Sequence, residues 1–172
     1  MSSDKQNDLT FPTLPFKDKV YRFVLNMVSD SMDAEDIMQD LLVKIWRRKE
    51  QYQEIENKEA WCMTVAKNLA IDKIRARKAP TSDVSEHYNL SDKSATPDQA
   101  YEQEEKMTNI MKLLDELPEK QKMIIHLRDV EGYTYQEIAD MTENTLDFVK
   151  VSLHRARKAL KDKLIQSKLH LR

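Results

Sequence analysis

A single glycine and a single cysteine in 172 residues exclude a good deal at once. A β protein rich in tight turns needs many residues that tolerate positive φ, and Gly132 is the only glycine. Cys62 stands alone, so neither an internal disulfide nor a multi-cysteine metal site is available. Set inside an apolar helical pattern, it reads as a buried structural thiol in a reducing cytoplasm. Aromatic residues make up only 7%, which leaves aliphatic side chains to build the interior. No apolar run is long enough to span a membrane and no secretory h-region appears, so the chain is expected to be neither exported nor membrane-spanning. A glycine-rich phosphate loop, a His/Glu metal spacing and a Ser/His/Asp set are also missing. His126 in an apolar-periodic helix and His87 in a polar stretch have no catalytic partner visible in sequence. Nothing calls for an enzyme, a metal or a cofactor.

What the sequence does have is charge and helical rhythm. Charged residues reach 34%, Leu, Met, Lys, Glu and Gln are plentiful, and steps of three and four recur, which together predict an all-α protein. The formal net charge is −2, so the chain is not built to coat DNA non-specifically. Its basic charge is local, which suggests DNA binding that needs help, or a second partner that is itself basic.

The densest set of agreeing signals runs from Leu117 to Leu164. Gly132 follows the apolar run Met123, Ile124, Leu127 and Val130, where a helix C-terminus wants a residue tolerant of positive φ. Thr134 and Glu137 then form a capping box that opens a short helix through Met141. Thr142-Glu143-Asn144 gives a polar turn, and Thr145 caps the last helix. Leu146, Val149, Leu153, Ala156, Leu160 and Leu164 line one side of that helix. The other side carries Asp147, Phe148, Val151, His154, Arg155 and Lys158, flanked by Lys150 and Arg157. Two short helices, the second basic on its outer face, read as a helix-turn-helix that places its second helix in a DNA groove. A plain αα-hairpin would explain a basic stripe, but Phe148 and Val151 within it suit a surface that becomes covered. Such residues could meet thymine methyls while Arg155 and Lys150 reach base edges or phosphates.

Taken in order, residues 1–15 lack periodicity and read as a flexible leader. A helix from Phe16 turns Val20, Phe23, Val24, Met27 and Val28 to one side and stops near Ser29-Asp30-Ser31. Asp33 caps a second helix through Ile37, Leu41, Leu42, Ile45 and Trp46, with Asp36, Gln39, Asp40 and Val43 on its outer surface. From spacing alone, a solvated acidic face and a docking face explain that surface equally well. Gln51 to Asn57 is a polar connection, and Asn57 caps a third helix with Trp61, Val65, Leu69 and Ile74 inside. Its other face shows Lys67, Asn68, Lys73, Arg75, Arg77 and Lys78. Residues 79–98 form a linker, a fourth helix resumes near Asp98, and Pro118 opens the next one. Two helical domains, 16–78 and 99–172, are expected.

These segments resemble a bacterial RNA polymerase sigma factor of the extracytoplasmic-function (ECF) type, the small class that keeps only regions two and four. The likeness rests on Ala34 to Asp40 with Trp46, on Ala60-Trp61, and on Ala66 to Arg75. In the second half it rests on Leu117 to Gln121, on Gly132 to Ala139, and on Val149-Lys150 leading to Leu153 through Arg157. It implies that Asp36, Gln39 and Asp40 contact the β′ clamp of core RNA polymerase, with region four meeting the β flap. It implies that Lys67, Asn68, Asp72, Lys73 and Arg75 lie at or near the unwound minus-ten strand, and that the 51–57 connection accepts a flipped base. Lys150, Val151, His154, Arg155 and Lys158 then match the surface that reads the minus-thirty-five duplex. An anti-sigma factor is implied for many members. Two other readings compete: a self-sufficient helix-turn-helix regulator that dimerises through its first half, and a helical adaptor whose basic helix is merely solvated.

Overall fold

Helix starts and stops divide the chain close to where its capping residues stand. The computed structural model describes residues 14–79 and 108–169, and among these the regular structure is helical throughout. The first half holds α1 (Lys17–Val28), α2 (Ser31–Arg47), α3 (Lys49–Glu54) and α4 (Lys58–Lys78). The second holds α5 (residues 108–115), α6 (Glu119–Ile125), a π-helical turn (His126–Val130), α7 (Tyr135–Thr142) and α8 (Leu146–Leu169). Most of the expected leader and linker, His87, and the start of the helix expected near Asp98 lie outside the described residues. Leu14, assigned to the leader, is packed in the core.

Several expected local signals hold. Asn57 Oδ1 accepts from the Ala60 amide at 2.9 Å, and Thr145 Oγ1 accepts from the Phe148 amide at 3.2 Å. The Thr134–Glu137 capping box is reciprocal: Oγ1 accepts from the Glu137 amide at 3.2 Å, and the Glu137 carboxylate accepts from the Thr134 amide at 2.7 Å. Gly132 has φ +79°, so its place is set by backbone conformation; a Cβ there would meet nothing within 4 Å.

Others needed correction. The cap of α2 is Asp30, whose Oδ1 accepts from the Asp33 amide at 2.9 Å. Asp33 turns its carboxylate toward Lys73 and Arg77 of α4 instead. The 51–57 connection is partly helical, because α3 runs to Glu54. Trp46 is 70% exposed rather than interior. In α4 the fully buried positions are Cys62, Met63, Ala66, Lys67 and Ala70, while Trp61, Val65, Leu69 and Ile74 are only partly covered. The cause is that α4 is wedged among α1, α2 and α7, so no single apolar stripe describes it. Cys62 is buried as expected, 3.9 Å from the Tyr52 hydroxyl, and burial pushes its thiol up to about 11.

The two halves pack on each other along α1 and α4, where they meet α6, the π turn and α7. Arg22 of α1 donates through Nε and Nη2 to the Glu131 carboxylate at 3.3 and 3.0 Å. His126 Nε2 lies 3.1 Å from the same carboxylate, and the His126 ring packs at 5.8 Å from Phe23 of α1. An α-helix would set residues five apart about 140° from each other. The π turn, closed by the Glu131 amide on the His126 carbonyl, brings them together. A second joint centres on Glu59 of α4, which accepts from Lys19 Nζ at 2.6 Å and from the Tyr133 hydroxyl at 2.5 Å. Burial pushes the Glu59 carboxyl up, but these two donors outweigh it and hold it below its ordinary value. Ser29 completes the seam, donating to Asp115 at 3.0 Å and accepting from Lys122 at 3.1 Å.

Burial lowers the His126 pKa from its ordinary 6.5, with Glu131 opposing. The neutral ring donates Nε2–H to Glu131, and Nδ1 has no hydrogen-bond partner among the described residues, so a second proton would be buried without an acceptor. The folded protein therefore holds fewer protons on His126 than the unfolded chain just below pH 6.5. Stability supported by the neutral ring is complete above that value and is lost as pH falls through it toward the folded pKa. The urea midpoint should drop between about pH 7.5 and about pH 5.5, and His126→Gln should flatten the drop. Equal slopes for both proteins would contradict this assignment.

Candidate functional site

Three helix surfaces carry the residues singled out from sequence. On α8, Val149, Ser152, Leu153 and Ala156 are buried, which fixes the helix's rotation. Lys150, Val151, His154, Arg155 and Lys158 are all exposed as a result, one turn apart along a single outer surface. Val151 and Phe148 are 47% and 37% exposed, apolar groups left among cations. Lys120 of α6 sits 5.6 Å from the Phe148 ring centroid. Arg157 is not part of this surface, because its guanidinium is paired with Asp129 of the π turn and ties α8 down. The turn before α8 is closed by Glu143 in the left-handed region (φ 55°) and by the Asn144 amide on the Ala139 carbonyl at 3.0 Å. The geometry is a helix-turn-helix whose second helix presents a cationic, partly apolar face.

On α4 the expected residues separate. Asn68, Asp72 and Arg75 are exposed. Lys73 lies 3.4 Å from Asp33 and 3.5 Å from Asp36, so α2 holds it. Lys67 is only 5% exposed, at the level where α7 packs on α4. Burial lowers its pKa, with the Glu143 carboxylate partly opposing. Sequence alone did not reveal that the second half covers this lysine.

On α2, Asp36, Gln39 and Asp40 are exposed at helical steps that share a side. The Asp36–Lys73 contact brings together one residue from each of two sets that the sequence reading kept apart. That reading also missed the roles of Arg22, Glu59, Glu131 and Tyr133, whose contacts depend on how the halves pack and leave no local signal. No cluster of His, Cys, Asp and Glu suited to a metal occurs among the described residues, and none of their helices is long and apolar enough to cross a membrane.

Comparison with known proteins agrees with this division. A profile of Sigma-70 region 2 matches residues 15–79, and one of Sigma-70, region 4 matches residues 107–160. The chain is 30% identical over 153 residues to RNA polymerase sigma factor SigV of Bacillus subtilis, covering 89% of each protein. It is 29% identical over 149 residues to ECF RNA polymerase sigma factor SigE of Mycolicibacterium smegmatis, a match spanning 86% of this chain and 58% of that relative's length. Among solved structures, sigma factor RpoE in complex with the anti-sigma factor NepR from Bartonella quintana is similar with a TM-score of 0.64 at 22% identity, over 86% of this chain and 91% of that one. CnrH in complex with the cytosolic domain of CnrY gives 0.62 at 18% identity, over 88% and 83%. At those identities the likeness is one of fold. With both regions matched in order, and with SigV aligned over nearly its whole length, this chain belongs to the sigma factors of bacterial RNA polymerase, of the ECF type, the family that directs transcription initiation.

Proposed function

We propose that the protein is a promoter-specificity subunit that performs no covalent chemistry and acts in the cytoplasm. In this reading α2 docks on the β′ clamp of core polymerase through Asp36, Gln39 and Asp40, and the second half meets the β flap. The outer face of α8 reads the minus-thirty-five duplex through Lys150, Val151, His154, Arg155 and Lys158. Asn68, Asp72, Lys73 and Arg75 of α4, joined by Lys67, hold the melted minus-ten strand. An anti-sigma factor is a further proposed partner.

The observation that carries this reading is the pairing, on one chain, of an exposed cationic α8 face with an exposed acidic α2 face. A self-sufficient DNA-binding regulator needs only the first, and a helical adaptor needs neither. Strand contact by Lys67 requires α7 to move off α4, since that lysine is buried where the two halves pack. Binding to core polymerase, which grips the two regions at separate places in this reading, supplies a reason for them to part.

Two variants test the assignment. Asp36→Arg should abolish retention of core polymerase in a pull-down while leaving the helical circular dichroism unchanged; undiminished retention would count against the docking face. Arg155→Ala should weaken minus-thirty-five protection by roughly 1–3 kcal/mol if its guanidinium makes a bidentate base contact. A footprint indistinguishable from wild type would remove Arg155 from the reading face.

A further inference from the structure

Among residues 14–79 the large apolar side chains left exposed are Met32, Val43 and Trp46, at 76%, 43% and 70%. All three belong to α2. At about 100° per residue they fall on the side that also carries Glu35, Asp36, Gln39 and Asp40. The opposite side, with Ala34, Ile37, Met38, Leu41 and Ile45, is buried in the first half's core. A unit that covers its other large apolar groups leaves these three in water on one strip, as expected of a surface that a partner covers.

Charge along the strip is polarised. Glu35, Asp36 and Asp40 occupy its first half, while Lys44, Arg47, Arg48 and Lys49 gather at its end. Helix-dipole compensation accounts for that order of signs. It gives no reason for a bare tryptophan at the basic end.

We propose that the outer face of α2 is a docking strip for one helical segment of a partner protein, anchored by Trp46 and Val43 and given its direction by charge. The basic end of the partner segment lies over Glu35, Asp36 and Asp40, and its acidic end over Arg47, Arg48 and Lys49. The inference rests on the core-polymerase reading of α2, and it names the chemistry of the segment and the residues that hold it. From Met32 to Trp46 the strip is about 21 Å long at 1.5 Å per residue, so roughly four turns of a helix fit along it. A nucleic-acid strand is the poorer occupant, since Glu35, Asp36 and Asp40 would face its phosphates. Trp46 carries the affinity because a large, rigid aromatic loses the most water-exposed area on contact, whereas exposed charges mainly steer encounter and fix register.

The test is the affinity of the full chain for core polymerase at low and high salt. Trp46→Ala should weaken binding roughly thirtyfold or more at both salt concentrations, and Trp46→Phe should restore most of it. Asp36→Asn should lose only several-fold, mostly in the association rate and mostly at low salt. The Trp46 variants should melt like wild type, because the side chain lies outside the core. Wild-type affinity in Trp46→Ala overturns the docking strip while leaving the core-polymerase reading intact. Failure of the unaltered chain to bind core removes that reading, and the strip with it. An antiparallel second copy would satisfy the same charge order. If sedimentation shows a dimer that Trp46→Ala dissolves, with core affinity unchanged, the strip belongs to self-association and the proposal is wrong.

Discussion

The arrangement of the two halves converges on one carboxylate. Glu131 has its side chain almost fully buried and receives Arg22 from the first half and His126 from its own. A lone carboxylate in that position would be costly to desolvate; two nitrogen partners make it tolerable. Removing one partner leaves a buried charge behind. Separating the halves as bodies lets both Arg22 and Glu131 return to water, so the Coulomb loss is largely offset by regained hydration. The joint therefore fixes register without demanding a permanent closure. The Glu59–Lys19–Tyr133 contact works on the same terms a short distance away.

That joint sorts the three functional surfaces. The α8 face and the α2 face are open while the halves are packed, but Lys67 on α4 is not. A protein in this state has its proposed duplex-reading and polymerase-docking surfaces ready, with part of its strand-holding surface covered. Strand capture then follows docking as a matter of geometry. The Lys73 contacts to Asp33 and Asp36 add a smaller link between the α2 face and the α4 face.

Features set by a few neighbouring residues were legible in the sequence. Gly132, the Thr134–Glu137 box, Asn57 and Thr145 each do what their local chemistry dictates, because a cap or a positive φ is decided within four or five residues. The outward face of α8 was legible for a related reason: one clear apolar stripe fixes the rotation of a helix. Features set by packing were not. Asp30 and Asp33 are equally good caps on paper, and only the approach of Lys73 and Arg77 from α4 draws Asp33 away. The interior of α4 was misread because helices cover it on more than one side. The His126–Glu131 pairing depends on a π turn, which shows no periodic signature in sequence. Trp46 looked interior because it sits beside Ile45, and a hydrophobic residue at the edge of an apolar stripe does not reveal which side of the edge it occupies.

The most direct test of the account is run-off transcription with core polymerase from a related bacterium, with and without this protein, on a pooled genomic promoter library. The account predicts discrete new transcripts that require the protein and whose start sites share two upstream elements. An absence of such transcripts, together with tight binding of duplex DNA by the protein alone, would contradict it and leave a self-sufficient helix-turn-helix regulator in its place.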